Sequence, residues 1–174
     1  MITAIIFDVD GTLYNETDVK MGAELGEFYW QVVYGNMKPY EDFLYILPRL
    51  QEKYRLHVLT DELQAIQERK LRRLGLEHAF IKAVSAEQIG ATKPSEKCFQ
   101  YMAGVIGEAC KNILVVGDNP GADIRGGKQS GMHTAWLRRG KYHYYPRKPE
   151  EEPEIIFTNF IQLSDKIEAL DAGR

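Results

Sequence analysis

The chain has 174 residues, 44% of them hydrophobic and 27% charged, with a formal net charge of -3. That length and apolar content suit one α/β domain with its own core and at most a small insertion. The weak negative charge excludes a broadly basic nucleic-acid footprint, although a local basic patch is still compatible with it. Cys98 and Cys110 lack zinc-ligand spacing and read as reduced thiols. The apolar N-terminal run is broken by Asp8 and Asp10, which fits neither a signal peptide nor a membrane span, so a reducing cytoplasm is the expected compartment.

Residues 2–7 form an unbroken apolar run, the pattern of a strand buried on both faces of a parallel sheet. A turn follows from Asp8 to Thr12. The spacing of Met21, Leu25, Phe28 and Val32 predicts a helix from about Asp18 to Tyr34, ended by Gly35, Asn36 and Pro39. A second helix is expected over Glu41–Lys53 with Phe43, Leu47 and Leu50 inward, then a strand over Leu56–Thr60. A third helix should use Leu63, Ile66, Leu71 and Leu74 and stop at Gly75. Strands are expected at Phe80–Val84, Ile113–Val116, His133–Leu137 and Ile155–Phe157, with Gly117 turning out of the second of these. Helices are expected from Ser95, which can cap its own helix, to Gly107, over Ala122–Gln129, and over Ile161–Leu170. Alternating strand and helix patterns imply an open parallel α/β sheet, whose ligands sit beyond the carboxyl ends of the strands.

Three polar clusters fall at those ends: Asp8 with Asp10, Thr60 with Asp61, and Asp118 with Asp123. Two carboxylates at i and i+2 after a buried strand repel each other unless a positive charge is near, and a hard divalent cation is the natural partner. A hydroxyl such as Thr60, with backbone N–H groups at a helix start, can hold a phosphate oxygen. Lys93, before Pro94, can reach the sheet edge and balance phosphate charge. None of the four histidines, His57, His78, His133 and His143, pairs with a nucleophile, so no catalytic histidine is assigned.

Taken in order, Asp8-Val9-Asp10-Gly11-Thr12, Thr60, Lys93-Pro94 and Gly117-Asp118 through Asp123 resemble the four motifs of the haloacid dehalogenase superfamily. The resemblance covers about residues 1–14 and 39–170 and implies a three-layer, Rossmann-like α/β core. It also implies roles. Asp8 resembles the nucleophile that forms an aspartyl-phosphate, and Asp10 the general acid and base. Asp8, the backbone carbonyl of Asp10, and Asp118 resemble magnesium ligands. Thr60 and Lys93 would hold phosphoryl oxygens, with Asp123, Asn119 and Asp61 in supporting positions. Dehalogenases, which attack carbon, lack the second aspartate, so Asp10 resembles the phosphatase branch. The family often has Asn where this chain has Asp61, an acid that would repel bound phosphate unless paired or turned away.

About 25 residues separate Leu13 from Pro39, room for a very small helical cap over 14–38 within one core domain spanning 1–174. A cap that small disfavours a phosphomutase, which must exclude water. Its aromatic residues Phe28, Tyr29, Trp30 and Tyr34 could seal the site or form a homodimer contact. Arg138, Arg139, Lys141, Arg147 and Lys148 alternate with Tyr142, His143, Tyr144 and Tyr145, a composition that grips phosphates or single strands. Glu150, Glu151, Glu152 and Glu154 follow and can neutralise it. The expected activity is a magnesium-dependent phosphatase on a small phosphorylated metabolite. A phosphatase of phosphoprotein or nucleic-acid ends and a non-catalytic phospho-ligand-binding protein are the alternatives.

Overall fold

The computed structural model describes residues 1–16 and 29–173. Six strands form one parallel sheet: β1 (Ala4–Phe7), β2 (Arg55–Thr60), β3 (Lys82–Ser85), β4 (Ile113–Gly117), β5 (His133–Leu137) and β6 (Ile155–Phe157). Their spatial order is β3-β2-β1-β4-β5-β6, so β1 is central and the chain reverses direction across the sheet between β1 and β4. Ala4 to Phe7 pair with Arg55 to Val58 on one side and with Ile113 to Val116 on the other. With a neighbour on each side and helices on both faces, β1 is buried along its whole length, which is why its sequence does not alternate.

Among the described residues the helices are α1 (Tyr29–Asn36), α2 (Glu41–Lys53), α3 (Gln64–Arg73), α4 (Ala86–Ile89), α5 (Glu96–Ile106), α6 (Arg125–Gln129) and α7 (Phe160–Ala172). Period-two side-chain direction sorts the strands between two layers. Ile5, Phe7, Leu114 and Val116 face one cluster, with Phe43 and Leu50 of α2, Leu71 of α3, and Phe160 and Leu163 of α7. Ala4, Ile6, Ile113 and Val115 face the other, with Phe99, Met102 and Ile106 of α5. Phe43 meets Phe7 and Phe160 edge-on, with ring centroids 5.5 and 5.0 Å apart. Each fully buried aromatic of this kind contributes roughly 1.5–3 kcal/mol.

Several expectations need correction. Helix α1 continues through Gly35 to Asn36, and the expected residues before Tyr29 lie outside the described residues. The side chains of Phe28, Tyr29 and Trp30 are likewise undescribed, so the proposed dimer contact rests on residues outside the described set. Helix α2 keeps its expected bounds but carries Pro48 inside. Helix α3 starts at Gln64, and its inward face is Gln67, Lys70 and Leu71, while Leu63 is exposed. Of the expected residues Leu71 and Leu74 are buried, whereas Leu63 precedes the helix and stays exposed. Ser95 makes no side-chain cap bond to α5, and the short helix α4, entered where the Ser85 N–H donates to Gln88 Oε1 at 3.1 Å, was not anticipated. Gly117 is the last residue of β4, and a π-helical turn over Pro120–Ile124 precedes α6.

The expected insertion begins and ends at a joined base. Tyr14 forms a backbone bridge to Pro39, and the Tyr40 N–H donates to Leu13 O at 3.0 Å. No described helix is long and apolar enough to cross a membrane. Cys98 and Cys110 are free.

Candidate active site

The reversal between β1 and β4 opens a crevice at the carboxyl ends of the central strands, the place where open α/β sheets bind ligands. Asp8 leaves β1 there, its N–H donating to Val116 O at 2.9 Å, and Asp118 leaves β4 beside it. A cavity of about 360 Å³ sits over both, lined also by Asp10, Glu16, Thr60, Asp61, Glu62, Lys93, Asn119, Asp123, Lys141 and Tyr142.

Lys93 organises the floor. Its Nζ, on a side chain only 4% exposed, donates to Asp8 Oδ1 at 2.6 Å and to Asp123 Oδ1 at 2.7 Å. Burial pulls the ammonium pKa down, but the charges of Asp123, Asp8 and Asp61 outweigh it and hold the group well above its usual value. Lys93 is therefore a fixed cation. The other Asp8 oxygen accepts from Thr12 Oγ1 at 3.1 Å. Asp123 spends its second oxygen on the Asn119 N–H at 3.1 Å, and Asn119 Oδ1 accepts from the Gly121 N–H at 3.1 Å. The loop after β4 is thus tied to itself and to Lys93.

Burial pushes the Asp8 carboxyl up to about 7, opposed by Lys93 and aided by Asp123 and Asp10. Asp118 is pushed up to about 9, by burial first and then by the charges of Asp8, Asp123 and Glu16. Asp118 Oδ2 is buried without a hydrogen-bond partner among the described residues. Oxygens of Asp8, Asp118 and Asp123 lie within 4.8 Å of one another. An orphaned carboxylate oxygen amid buried acids, all of them hard oxygen donors, fits a divalent cation of the magnesium or calcium class. Gly11 gives this group its room. A Cβ there would come within 2.3 Å of Asp118 Oδ2, and its φ of +81° is one that glycine adopts freely.

The sequence-predicted residues Asp8, Asp10, Thr60, Lys93, Asp118, Asn119, Asp123 and Asp61 all line one cavity. The structure adds their detailed partners. The Asp10 carboxylate is outside the three-acid group and is instead bonded by Lys70 and Tyr14. Thr60 does not stand at a helix start: its Oγ1 accepts from the Glu62 N–H at 3.2 Å, and α3 begins four residues later. Asp61 turns its acid onto the Lys93 N–H at 2.8 Å, which gives it a donor partner. In the basic aromatic loop, Arg139 forks onto Asp42 at 3.1 and 2.8 Å and stacks 4.3 Å from the Tyr40 ring, while Arg147 pairs with Glu152 over Trp136. Only Lys141 and Tyr142 of that loop line the cavity. Tyr142 Oη accepts from Asn119 Nδ2 at 3.0 Å, and Lys141 Nζ lies 3.6 Å from Glu16.

Sequence reasoning missed Tyr14, Glu16 and Lys70. Lys70 had a readable signal: on a helix it shares a stripe with Gln67, Leu71 and Leu74, so the apolar face that must turn inward carries a lysine with it. Tyr14 and Glu16 offered none.

The chain matches the family model described as haloacid dehalogenase-like hydrolase over residues 23–137. It is 35% identical over 144 residues to a glyceraldehyde 3-phosphate phosphatase of Methanopyrus kandleri, covering 82% of this chain and 62% of that protein. It is 32% identical over 100 residues to a phosphoserine phosphatase of Thermus thermophilus, covering 58% of this chain and 39% of that one. The chain therefore spans less than two thirds of the length of these curated relatives. Its fold resembles a 2-haloacid dehalogenase from Pseudomonas syringae pv. tomato, with a TM-score of 0.81 at 20% identity, covering 98% and 100% of the two chains. With the match extending over more than half of its length, and the four motif segments gathered around one cavity, the chain belongs to the haloacid dehalogenase-like hydrolase family.

Proposed function

We propose that this chain is a magnesium-dependent phosphatase that hydrolyses small phosphate monoesters through an aspartyl-phosphate on Asp8. The observation that carries this reading is the placement of Asp8 between a buried ammonium at 2.6 Å and the orphaned Asp118 carboxylate. Phosphoryl transfer asks a protein mainly for position and for neutralised charge, and this site has fixed groups suited to both. Relatives named as phosphatases support the reaction class. Dehalogenases share the fold, but Asp10, the residue that resembles the phosphatase branch, lines this cavity beside Asp8. The cavity volume of about 360 Å³ suits a small metabolite. Arg139 and Arg147 of the basic loop are taken by Asp42 and Glu152, which removes two of its cations from a macromolecular phosphate.

In this reading Asp8 attacks phosphorus in line, with Thr60 and Lys93 holding the phosphoryl oxygens. Asp10 gives a proton to the departing oxygen and later takes one from the attacking water. Asp123 holds Lys93 and the loop behind it. Asp8, Asp118 and the backbone of Asp10 would hold Mg²⁺, which would supply charge neutralisation at the phosphoryl oxygens. Hydrolysis of para-nitrophenyl phosphate that appears with magnesium and vanishes with chelator is the expected result. A purified chain inactive with every divalent metal on every monoester tried would overturn the proposal.

The raised Asp8 and Asp118 carboxyls predict a pH-dependent metal effect. Both acids have folded values above their unfolded value near 4, so the metal-free fold loses stability as pH rises from about 4 toward 9. A cation competes with those protons, so its stabilisation grows over the same range. At a hundredfold excess over Kd it contributes about 2.7 kcal/mol, a Tm rise of about 5–10 °C, larger at pH 8 than at pH 6. Thermal scans with and without magnesium at both pH values check this.

Lys141 marks the exposed side of the mouth. Its replacement by Glu should weaken binding of a phosphate dianion by roughly 1 kcal/mol, about fivefold in KM, and the effect should shrink in high salt. KM measured at two ionic strengths tests this.

A further inference from the structure

The proposed chemistry uses the floor of the cavity and leaves its outer side unassigned. The side chains of Asp8, Lys93 and Asp123 are all at most 10% exposed, whereas that of Lys141 is 55% exposed. Attacking and leaving oxygens stand roughly in line in phosphoryl transfer, so a group displaced by Asp8 points away from that floor and toward the Lys141 side. Tyr142 stands beside Lys141 and supplies the one aromatic ring among the described residues that line the cavity. The ring is held from three directions. Its Oη accepts from Asn119 Nδ2 at 3.0 Å, the Tyr145 ring meets it edge-on with centroids 5.7 Å apart, and Lys141 Nζ lies 5.0 Å from its centroid. Asn119 is itself tied to the floor, because its N–H donates to Asp123 Oδ2 at 3.1 Å. The backbone at the ring is fixed as well. The Tyr145 N–H donates to Tyr142 O at 3.1 Å, and Arg139, earlier in the same loop, forks onto Asp42. A ring fixed at its hydroxyl, its edge and its backbone does not swing aside for a ligand, so its surface limits the space left for the leaving group.

We propose that Tyr142 is a specificity-determining residue, a fixed wall against which the leaving group rests, and that it confines the substrates to phosphate monoesters whose organic group is no broader than a single ring. The inference rests on the phosphatase reading above. The cavity volume of about 360 Å³ is near the bottom of the range of about 300–1,000 Å³ for ligand pockets, and the phosphoryl group takes part of it. The other described lining residues are hydrophilic side chains and Ala122, which give an apolar leaving group nothing of comparable area to pack on. The ring acts by shape and makes no bond to the reacting atoms, so its replacement should change which ester is preferred.

The test compares wild type with Tyr142→Ala, Tyr142→Phe and Tyr142→Trp on phenyl phosphate and 1-naphthyl phosphate with magnesium. These esters release phenolates of similar basicity and differ mainly in breadth, so the ratio of their kcat/KM values reads the fit of the leaving group. Wild type should favour phenyl phosphate by about tenfold or more, the scale set by overfilling a pocket. Tyr142→Ala should raise the naphthyl-to-phenyl ratio by about tenfold, and Tyr142→Trp should lower it. Tyr142→Phe keeps the ring and should hold the ratio within about threefold of wild type. Equal losses on both esters in Tyr142→Ala would mean that the residue only supports the loop, and would overturn the wall. So would a wild type that does not discriminate, or a Tyr142→Phe ratio raised as far as that of Tyr142→Ala. If Tyr142→Ala does not fold, a Tyr142→Trp ratio at or above that of wild type overturns the wall by itself. A wild type that turns over para-nitrophenyl phosphate but fails these comparisons loses only the wall, whereas one silent on para-nitrophenyl phosphate takes down the phosphatase reading as well.

Discussion

Asp8→Asn should lower kcat for phosphate monoesters by on the order of 10⁴-fold, with the fold intact. The amide has nearly the shape of the carboxyl, so the contact with Thr12 can persist, but it cannot attack phosphorus. Its effect on stability should run opposite to its effect on activity. The Asp8 carboxyl is pushed up to about 7, chiefly by burial, so its ionised form opposes folding above that pH. Removing the charge removes that opposition, and the metal-free variant at pH 8 should melt no lower than wild type. Magnesium should stabilise it less, because one of the three clustered acids is gone. Steady-state kinetics and thermal scans on one preparation read all three effects. Turnover surviving in Asp8→Asn would assign the nucleophile elsewhere.

Lys93→Met is the complementary change and should be the most destabilising single substitution at the site. It strips the shared cation from Asp8 and Asp123, which are held at 2.6 and 2.7 Å, and leaves their charges buried. Breaking a buried pair from one side costs roughly 3–5 kcal/mol, a Tm loss of about 10 °C in a chain of this size. The sign with pH follows from the acids. Without Lys93 the folded-state value of Asp8 rises further, and its protonation at low pH relieves the strain, so the penalty should grow from pH 5 to pH 8 and shrink when magnesium is added. Thermal melts across that range check it. A uniform loss at all pH values would mean that Lys93 acts through packing.

How far the sequence carries can be judged at particular residues. β1 and β4 were legible because an unbroken apolar run has few other uses than a strand buried on both faces. Asp8 and Asp118 followed from them, since a polar residue ending such a strand must emerge at the carboxyl edge of the sheet. Helix α3 was legible as a helix, and its inward face in part. Of the expected inward residues Leu71 and Leu74 join the core, and their stripe carries Gln67 and Lys70 inward with them, while Leu63 ahead of the helix stays exposed. The basic aromatic loop was read by composition, and composition does not report that Asp42, 97 residues away, claims Arg139.

By itself the sequence determined which residues end the strands, because local apolar periodicity sets strand and helix and the ends of buried strands are the only places for their flanking acids. Only the tertiary structure decided which of those groups touch. Lys93 meets Asp123 across 30 residues, and Lys70 meets Asp10 across 60. Those pairings depend on strand order and on the rotation of one helix, which are set by packing over the whole core.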